Sequence, residues 1–202
     1  MAAASNVLVI DSFLGAAAAD DLLAQIIASE ARFTPSTFRQ AEGAAQDSEF
    51  RSSLRLPGRA GVDLAAFKSA IEARLAEFCA GTGMAEFPIY HTECSVVAHR
   101  DGDFYKRHID TRTGNPATLG KHVRVLSCVY YLNRRPQAFS GGELAFYPLG
   151  GAEPVIVTPQ HNRLAVFPAF IPHEVMPIAC PSSDFADTRF SINCWLHRAV
   201  SQ

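Results

Sequence analysis

His108 and Asp110 stand two apart in the stretch FYKRHIDT, residues 104–111. In an extended strand, residues i and i+2 project from one face, so an imidazole and a carboxylate at this spacing can reach a single ion; on a helix they would diverge by about 200°. The flanking residues are strand-like, which favours chelation. Taken alone, such a triplet is also found on solvated surface strands, so a third donor has to decide between a metal site and a surface. Among the seven histidines the best placed is His173 in AFIPHEVMPI, which follows the apolar run RLAVFPAF and so sits near the end of a buried strand. By itself His173 reads as a core histidine bonded to a backbone carbonyl. With His108 and Asp110 it completes two imidazoles and one carboxylate, the facial set that holds non-haem Fe(II) and leaves positions open.

Open metal positions that take an anionic cosubstrate call for a cation nearby. Arg189 begins the β-rich run RFSINCWLH, where alternation would point it with Ser191 and Asn193 into a core. An arginine inside a core is costly unless it meets a carboxylate. A bound dicarboxylate would supply that partner.

The elements that must position these groups fall into two halves. Residues 7–10 (VLVI) read as a strand and residues 16–30 as a helix with Leu22, Leu23, Ile26 and Ile27 on one stripe. A second helix is expected over 62–80, with Leu64, Phe67, Ile71, Leu75 and Phe78 at three- and four-residue spacing, stopped by Gly81 and Gly83. Between the helices, FTPSTFRQAEGAAQDSEFRSSLRLPG has no clear period and reads largely as a loop. From residue 89 onward short β-rich runs follow one another, HTECSVVAH, HVRVLSCVYYL, ELAFYP, PVIVTP, RLAVFP and RFSINCWLH, the texture of an antiparallel sandwich or barrel. The fold class is α+β, helices first and then a β core.

At 202 residues and 48% hydrophobic composition the chain suits one core and one domain, 1–202, with 1–88 as helical support and loop and 89–202 as the β core. A formal net charge of −2 and a pI near 6.4 give no overall attraction to nucleic acid or an anionic membrane. The five cysteines, Cys79, Cys94, Cys128, Cys180 and Cys194, form no C-x-x-C pair and suit a reduced, cytoplasmic setting. The apolar N-terminus lacks a basic region and is interrupted by Asp11 and Asp20, so neither a signal peptide nor a membrane span is expected.

The order H-x-D, distal His, then Arg resembles the 2-oxoglutarate- and Fe(II)-dependent oxygenases, and within them the prolyl-4-hydroxylase group. The matching segments are GDFYKRHIDT, VRVLSCVYYLN, SGGELAFYP, RLAVFP, PHEVMPI and RFSINCW, in family order from about Val96 to Arg198. The resemblance implies a double-stranded β-helix, or jelly roll, with N-terminal support helices. It makes His108, Asp110 and His173 the iron ligands and Arg189 the salt-bridge partner of the cosubstrate's distal carboxylate, which Tyr131 also bonds. Leu144, Val175 and Trp195 fall where the family lines the cosubstrate pocket. His99 stands where relatives often carry a tyrosine near the cosubstrate. Arg124 and Arg51 match substrate contacts of protein-hydroxylating members, Arg51 within a lid loop. The segment ACPSSDFADT lengthens the interval between His173 and Arg189, and RFSINCW restores the register. His91, His122, His161 and His197 match nothing in the motif set and are expected at the surface or in structural roles.

The implied cofactors are Fe(II), 2-oxoglutarate and O2, with ascorbate as an optional reductant. The implied reaction is hydroxylation of an unactivated C–H bond, with a prolyl residue of a protein or peptide as the leading substrate. A small molecule such as a free amino acid is the alternative, and a metal-binding β domain without turnover the remote one. Asp110 argues against halogenation, which needs the carboxylate's place for halide. The nucleic-acid demethylase branch usually carries a second arginine six positions after the first, where this chain has Trp195. Lys106, Arg107 and Arg112 flank the metal motif and would form a basic rim for an acidic substrate.

Overall fold

A computed structural model describes residues 6–36, 38–40, 43–45, 49–58, 61–112, 120–148, 150–151 and 153–200. Two antiparallel sheets carry the molecule. The larger has seven strands in the order β1 (Leu8–Ile10), β13 (Arg163–Pro168), β9 (His122–Leu132), β16 (Arg189–Ala199), β7 (His91–His99), β6 (Leu54–Arg55) and β2 (Thr34–Pro35). The smaller has five in the order β12 (Val155–Val157), β11 (Leu144–Phe146), β14 (His173–Val175), β8 (Phe104–His108) and β5 (Arg51–Ser52). A short hairpin, β3 (Phe38–Gln40) with β4 (Gly43–Ala45), and a two-stranded pair of distant segments, β10 (Ser140–Gly141) with β15 (Ile178–Ala179), complete the set.

The central strands of the large sheet are buried over much of their length because both of their faces are covered. On one face Leu126, Cys128, Tyr130, Phe190, Ile192 and Cys194 pack with the helices. On the other, Val129, Tyr131, Ala165 and Phe167 meet Leu144, Phe146 and Val157 of the small sheet. The two tyrosines of YYLN therefore point opposite ways. Tyr130 donates to Asn162 Oδ1 at 2.8 Å on the helix side, and Tyr131 enters the space between the sheets.

Helix α1 (Ala16–Ala28) buries Leu22, Leu23 and Ile26, α2 (Ala65–Ala73) buries Phe67 and Ile71, and α3 (Leu75–Thr82) buries Phe78. Each such side chain contributes about 1.5–3 kcal/mol on leaving water, and all six join one core with the large sheet. The single helix expected over 62–80 is instead two, broken at Arg74, whose backbone (φ −106°, ψ 16°) leaves the helical region. The Arg74 N–H reaches back three residues to Ile71 O at 3.3 Å, and its guanidinium covers the Phe13 ring at 5.2 Å while pairing with Glu77 at 2.7 Å. The break re-aims α3 so that Phe78 and Phe13 both pack in the core. Gly83, at φ 71°, ends α3 in the left-handed conformation.

The segment expected as a lid loop is partly sheet. Arg51 pairs with Tyr105 and Arg55 with Val97, so the chain passes from the small sheet to the large one through Ser53. Two-residue strands have no readable period, which is why the sequence shows them as loop. Positions 37, 41–42 and 46–48 of the expected lid lie outside the described residues. Among the described residues no helix is long and apolar enough to cross a membrane.

Candidate active site

His108 ends β8 and His173 opens β14, and the two are direct partners across the antiparallel pair. Asp110 lies two residues on, its N–H donated to Ala169 O at 2.9 Å. The strand register thus brings Asp110 and His173 together across 62 intervening positions, 111–172. Asp110 Oδ1 is 3.7 Å from His108 Nε2 and Asp110 Oδ2 is 3.6 Å from His173 Nε2. One ligand atom from each residue lies within 4.8 Å of the others, a set that could hold one ion.

The surrounding bonds aim these atoms. His108 Nδ1 faces Lys106 O at 2.8 Å and His173 Nδ1 faces Ile171 O at 2.9 Å. A carbonyl only accepts, so both Nδ1 atoms carry the proton and both Nε2 lone pairs point to the site. Burial, then the neighbouring His173, holds the His108 imidazole down at about 3, so it is neutral as a ligand must be. Burial works against the Asp110 carboxylate, yet His173, His108 and bonds from Ser127 and Trp195 keep it below the usual carboxylate value. Ser127 Oγ donates to Asp110 Oδ2 at 2.6 Å. This donor set, two imidazoles that present Nε2 and one carboxylate, fits ferrous iron.

Deeper in, Arg189 is 1% exposed. Its Nε donates to Gly142 O at 2.9 Å, its Nη1 lies 3.3 Å from His99 Nδ1, and its guanidinium sits 5.0 Å from the Tyr131 ring centre. Gly142 (φ 70°) allows this approach, since a Cβ there would stand 2.6 Å from Arg189 Cδ. A guanidinium only donates, so His99 Nδ1 accepts and Nε2 bears the hydrogen. Burial, with Arg189 and Arg51 beside it, keeps the His99 pKa well below the usual imidazole value. Burial pushes the Tyr131 phenol up to about 12. Among the described residues, Arg189 Nη2, Tyr131 Oη and His99 Nε2 are buried without a hydrogen-bond partner. Three buried donors unmet at one place are what a carboxylate would satisfy, and 2-oxoglutarate fits that cradle.

A cavity of about 930 Å³ runs from this end past His108, Asp110 and His173 to the surface. Leu144, Val175, Trp195, Arg124 and Arg51 line it with His99, Arg189, His108, Asp110 and His173. Tyr131 is placed against Arg189 and fully buried. At the mouth, Arg124 lies 3.8 Å over the Trp195 ring and pairs with Glu93 at 2.8 Å. Glu93 Oε2 also faces His197 Nε2 at 3.1 Å, and His197 Nδ1 faces His122 Nδ1 at 2.8 Å.

Sequence reasoning missed Glu93 and Ser127, which flank Trp195 in register across three strands. Only the strand pairing reveals them. His122 and His197, expected at the surface or in structural roles, both line the cavity, while His91 is exposed and His161 lies 3.3 Å from Asp20. The expected basic rim is only partly there. Arg107 turns away to stack over Tyr147 at 3.3 Å, Lys106 is exposed outside the lining, and Arg112 lines the cavity. Arg55, also missed, lines it too.

A jelly roll whose small sheet presents His-x-Asp and a distal histidine opposite a buried arginine defines an iron- and oxo-acid-binding oxygenase scaffold. The model of the 2OG-Fe(II) oxygenase superfamily matches residues 94–197, and the chain belongs to that family. An uncharacterized PKHD-type hydroxylase of Synechocystis is 31% identical over 145 residues, covering 68% of this chain and 46% of that protein. Egl nine homolog 1 of Homo sapiens is 34% identical over 98 residues, 47% of this chain and 20% of that protein. The chain thus spans less than half the length of these relatives. Among solved structures, a Pseudomonas putida prolyl-4-hydroxylase superposes with a TM-score of 0.69 at 24% identity, covering 95% of this chain and 92% of that one. A Trichoplax adhaerens prolyl hydroxylase, in complex with a hypoxia inducible factor oxygen degradation domain peptide, gives 0.71 at 23% identity, covering 95% and 83%. These likenesses show the fold.

Proposed function

We propose that the chain is an Fe(II)- and 2-oxoglutarate-dependent hydroxylase acting on a prolyl residue of a protein or peptide. The observation that carries the reaction class is the convergence of two features in one cavity: the three metal-binding side chains and the unpartnered donors of Arg189, Tyr131 and His99. In this reading residues 1–202 act as one domain, ascorbate serves as an optional reductant, and five free cysteines suit a reduced, cytoplasmic setting.

Bound iron, with 2-oxoglutarate and dioxygen, supplies an oxidation that places one oxygen atom in a substrate C–H bond and the other in succinate, with release of carbon dioxide. The chain's own residues do the rest. His108, Asp110 and His173 hold the metal from one side. Arg189 and Tyr131 bind the far carboxylate, and His99 donates from Nε2–H toward the same cosubstrate. Leu144 and Val175 keep water from its chain. Arg124, fixed flat on Trp195, and Arg51 hold the substrate at the mouth.

Support for a protein or peptide substrate comes from the neighbours named above, one of which was solved with a peptide bound, and from a cavity mouth walled by Trp195 and arginines. The test is incubation of the enzyme with a cell lysate, Fe(II) and 2-oxoglutarate, followed by mass spectrometry. We expect a gain of one oxygen on proline in particular peptides. Oxygen appearing only on small metabolites would sink the peptide reading, and no succinate from any source would sink hydroxylation itself.

A further inference from the structure

The charges of the cavity wall do not balance. Beyond Arg189, which the cosubstrate neutralises in the reading above, the lining cations are Arg51, Arg55, Arg112, Lys121 and Arg124, and the lining carboxylates are Glu93 and Asp110. Asp110 belongs to the metal set, and Glu93 is held by Arg124 and His197. Arg112 and Lys121 are exposed. Arg51 and Arg55 remain, both half-buried.

Their position follows from the corner at Ser53. Arg51 lies on the small sheet opposite Tyr105 and Arg55 on the large sheet beside Val97. One turn of chain thus places a guanidinium on each wall of the cavity. They are near enough for Arg55 to act on the Arg51 charge. Arg51 lies 4.6 Å from the Tyr105 ring centre, and its Nε donates to Ser53 Oγ at 2.8 Å. Among the described residues the Nε of Arg55 is buried with no hydrogen-bond partner. Among the described residues neither arginine forms a salt bridge. Two adjacent, half-buried like charges are unfavourable unless an anion joins them, and a planar carboxylate suits two guanidinium forks.

We propose that Arg51 and Arg55 form a carboxylate clamp in the cavity wall that takes an acidic side chain flanking the target proline, so that the substrate class is an acidic peptide. This rests on the hydroxylase reading of the preceding section. The Arg55 arm comes from the large sheet and the Arg51 arm from the small one, so the clamp fixes where along a bound peptide the acidic residue must fall.

The test uses short, terminally blocked proline peptides in matched pairs, aspartate against asparagine and glutamate against glutamine at each flanking position. Binding is read by fluorescence anisotropy on enzyme loaded with Zn(II) and 2-oxoglutarate, which does not turn over. The acidic member should bind about tenfold tighter at one position, with the advantage shrinking as salt rises. Arg55→Met should reduce that preference to about twofold or less, Arg55→Lys should restore part of it, and thermal melting checks that each variant folds. Equal binding of acid and amide peptides, or a preference unchanged in Arg55→Met, overturns the clamp. A further arm compares free proline with prolinamide. A preference confined to that arm upholds carboxylate binding by the two arginines but removes the acidic-peptide assignment and the peptide reading with it.

Discussion

The two ends of the cavity each set a guanidinium against an aromatic ring, and they differ in what completes the charge. At the closed end Arg189 is 1% exposed, sits 5.0 Å from the Tyr131 ring and leaves Nη2 without a partner. At the mouth the Arg124 side chain is 26% exposed, lies 3.8 Å over Trp195 and is answered by Glu93. Arg124 is satisfied by the protein alone. The closed end has its hydrogen-bonding needs met only by an outside group, which is the mark of a built binding site and not of a structural ion pair.

The largest effect expected is at the metal residues between the two ends. Asp110→Ala leaves two imidazoles and removes the charged ligand, so Fe(II) affinity should fall by more than about a hundredfold, since even groups that only support a ligand are worth about 10- to 100-fold. Calorimetric titration with Fe(II) under anaerobic conditions reads this directly. Retained tight binding would mean the three side chains are not the metal site.

Arg189→Met comes next and sharpens the contrast between the ends. Truncating one partner of a buried charge pair costs about 2–5 kcal/mol, so 2-oxoglutarate affinity should drop by about thirtyfold to several thousandfold. Without cosubstrate, the same variant should melt no lower than the parent, because a buried charge with an unmet donor has been removed. A variant that melts much lower and binds 2-oxoglutarate normally would make Arg189 structural.

The sequence shows these groups unequally, for physical reasons. His108 and Asp110 are legible because a strand has a period of two, and the Arg189, Ser191, Asn193 alternation is legible for the same reason. The pairing of His173 with His108 depends on β14 lying beside β8, which no local pattern encodes; the ordered segments of the family resemblance supply it. The glycines of SGGELAFYP acquire their reason only in three dimensions, where Gly142 admits Arg189 and a Cβ on Gly141 would collide with the Pro177 carbonyl. Glu93 and Ser127 are invisible because their role is to stand beside Trp195 on neighbouring strands. The break at Arg74 is hidden because the apolar spacing runs on through it.

Tyr131→Phe gives a smaller and more discriminating effect. The phenol oxygen is buried with no partner, so its removal should leave the cosubstrate-free protein as stable or up to about 1 kcal/mol more stable. The same change should weaken 2-oxoglutarate binding about two- to tenfold, the worth of one hydrogen bond. Opposite signs for stability and affinity are the signature of a group kept for a ligand; a stability loss with unchanged affinity would assign Tyr131 to packing.

Glu93→Gln should do least, and its pattern should be the reverse. The Glu93 side chain is 39% exposed and that of Arg124 26%, so their pair is worth up to about 1 kcal/mol after solvent screening, and that stability should be lost. With the carboxylate gone, Arg124 no longer has a fixed seat on Trp195, and a peptide substrate should show a KM raised a few-fold with kcat nearly unchanged. Cosubstrate affinity should stay at the parent value, because Glu93 bonds to Arg124 and His197 while Arg189 bonds to Gly142 and His99. A fall in 2-oxoglutarate affinity comparable with that of Arg189→Met would show that the two ends act as one network, and the division between a self-satisfied Arg124–Glu93 pair and a ligand-completed interior would fail.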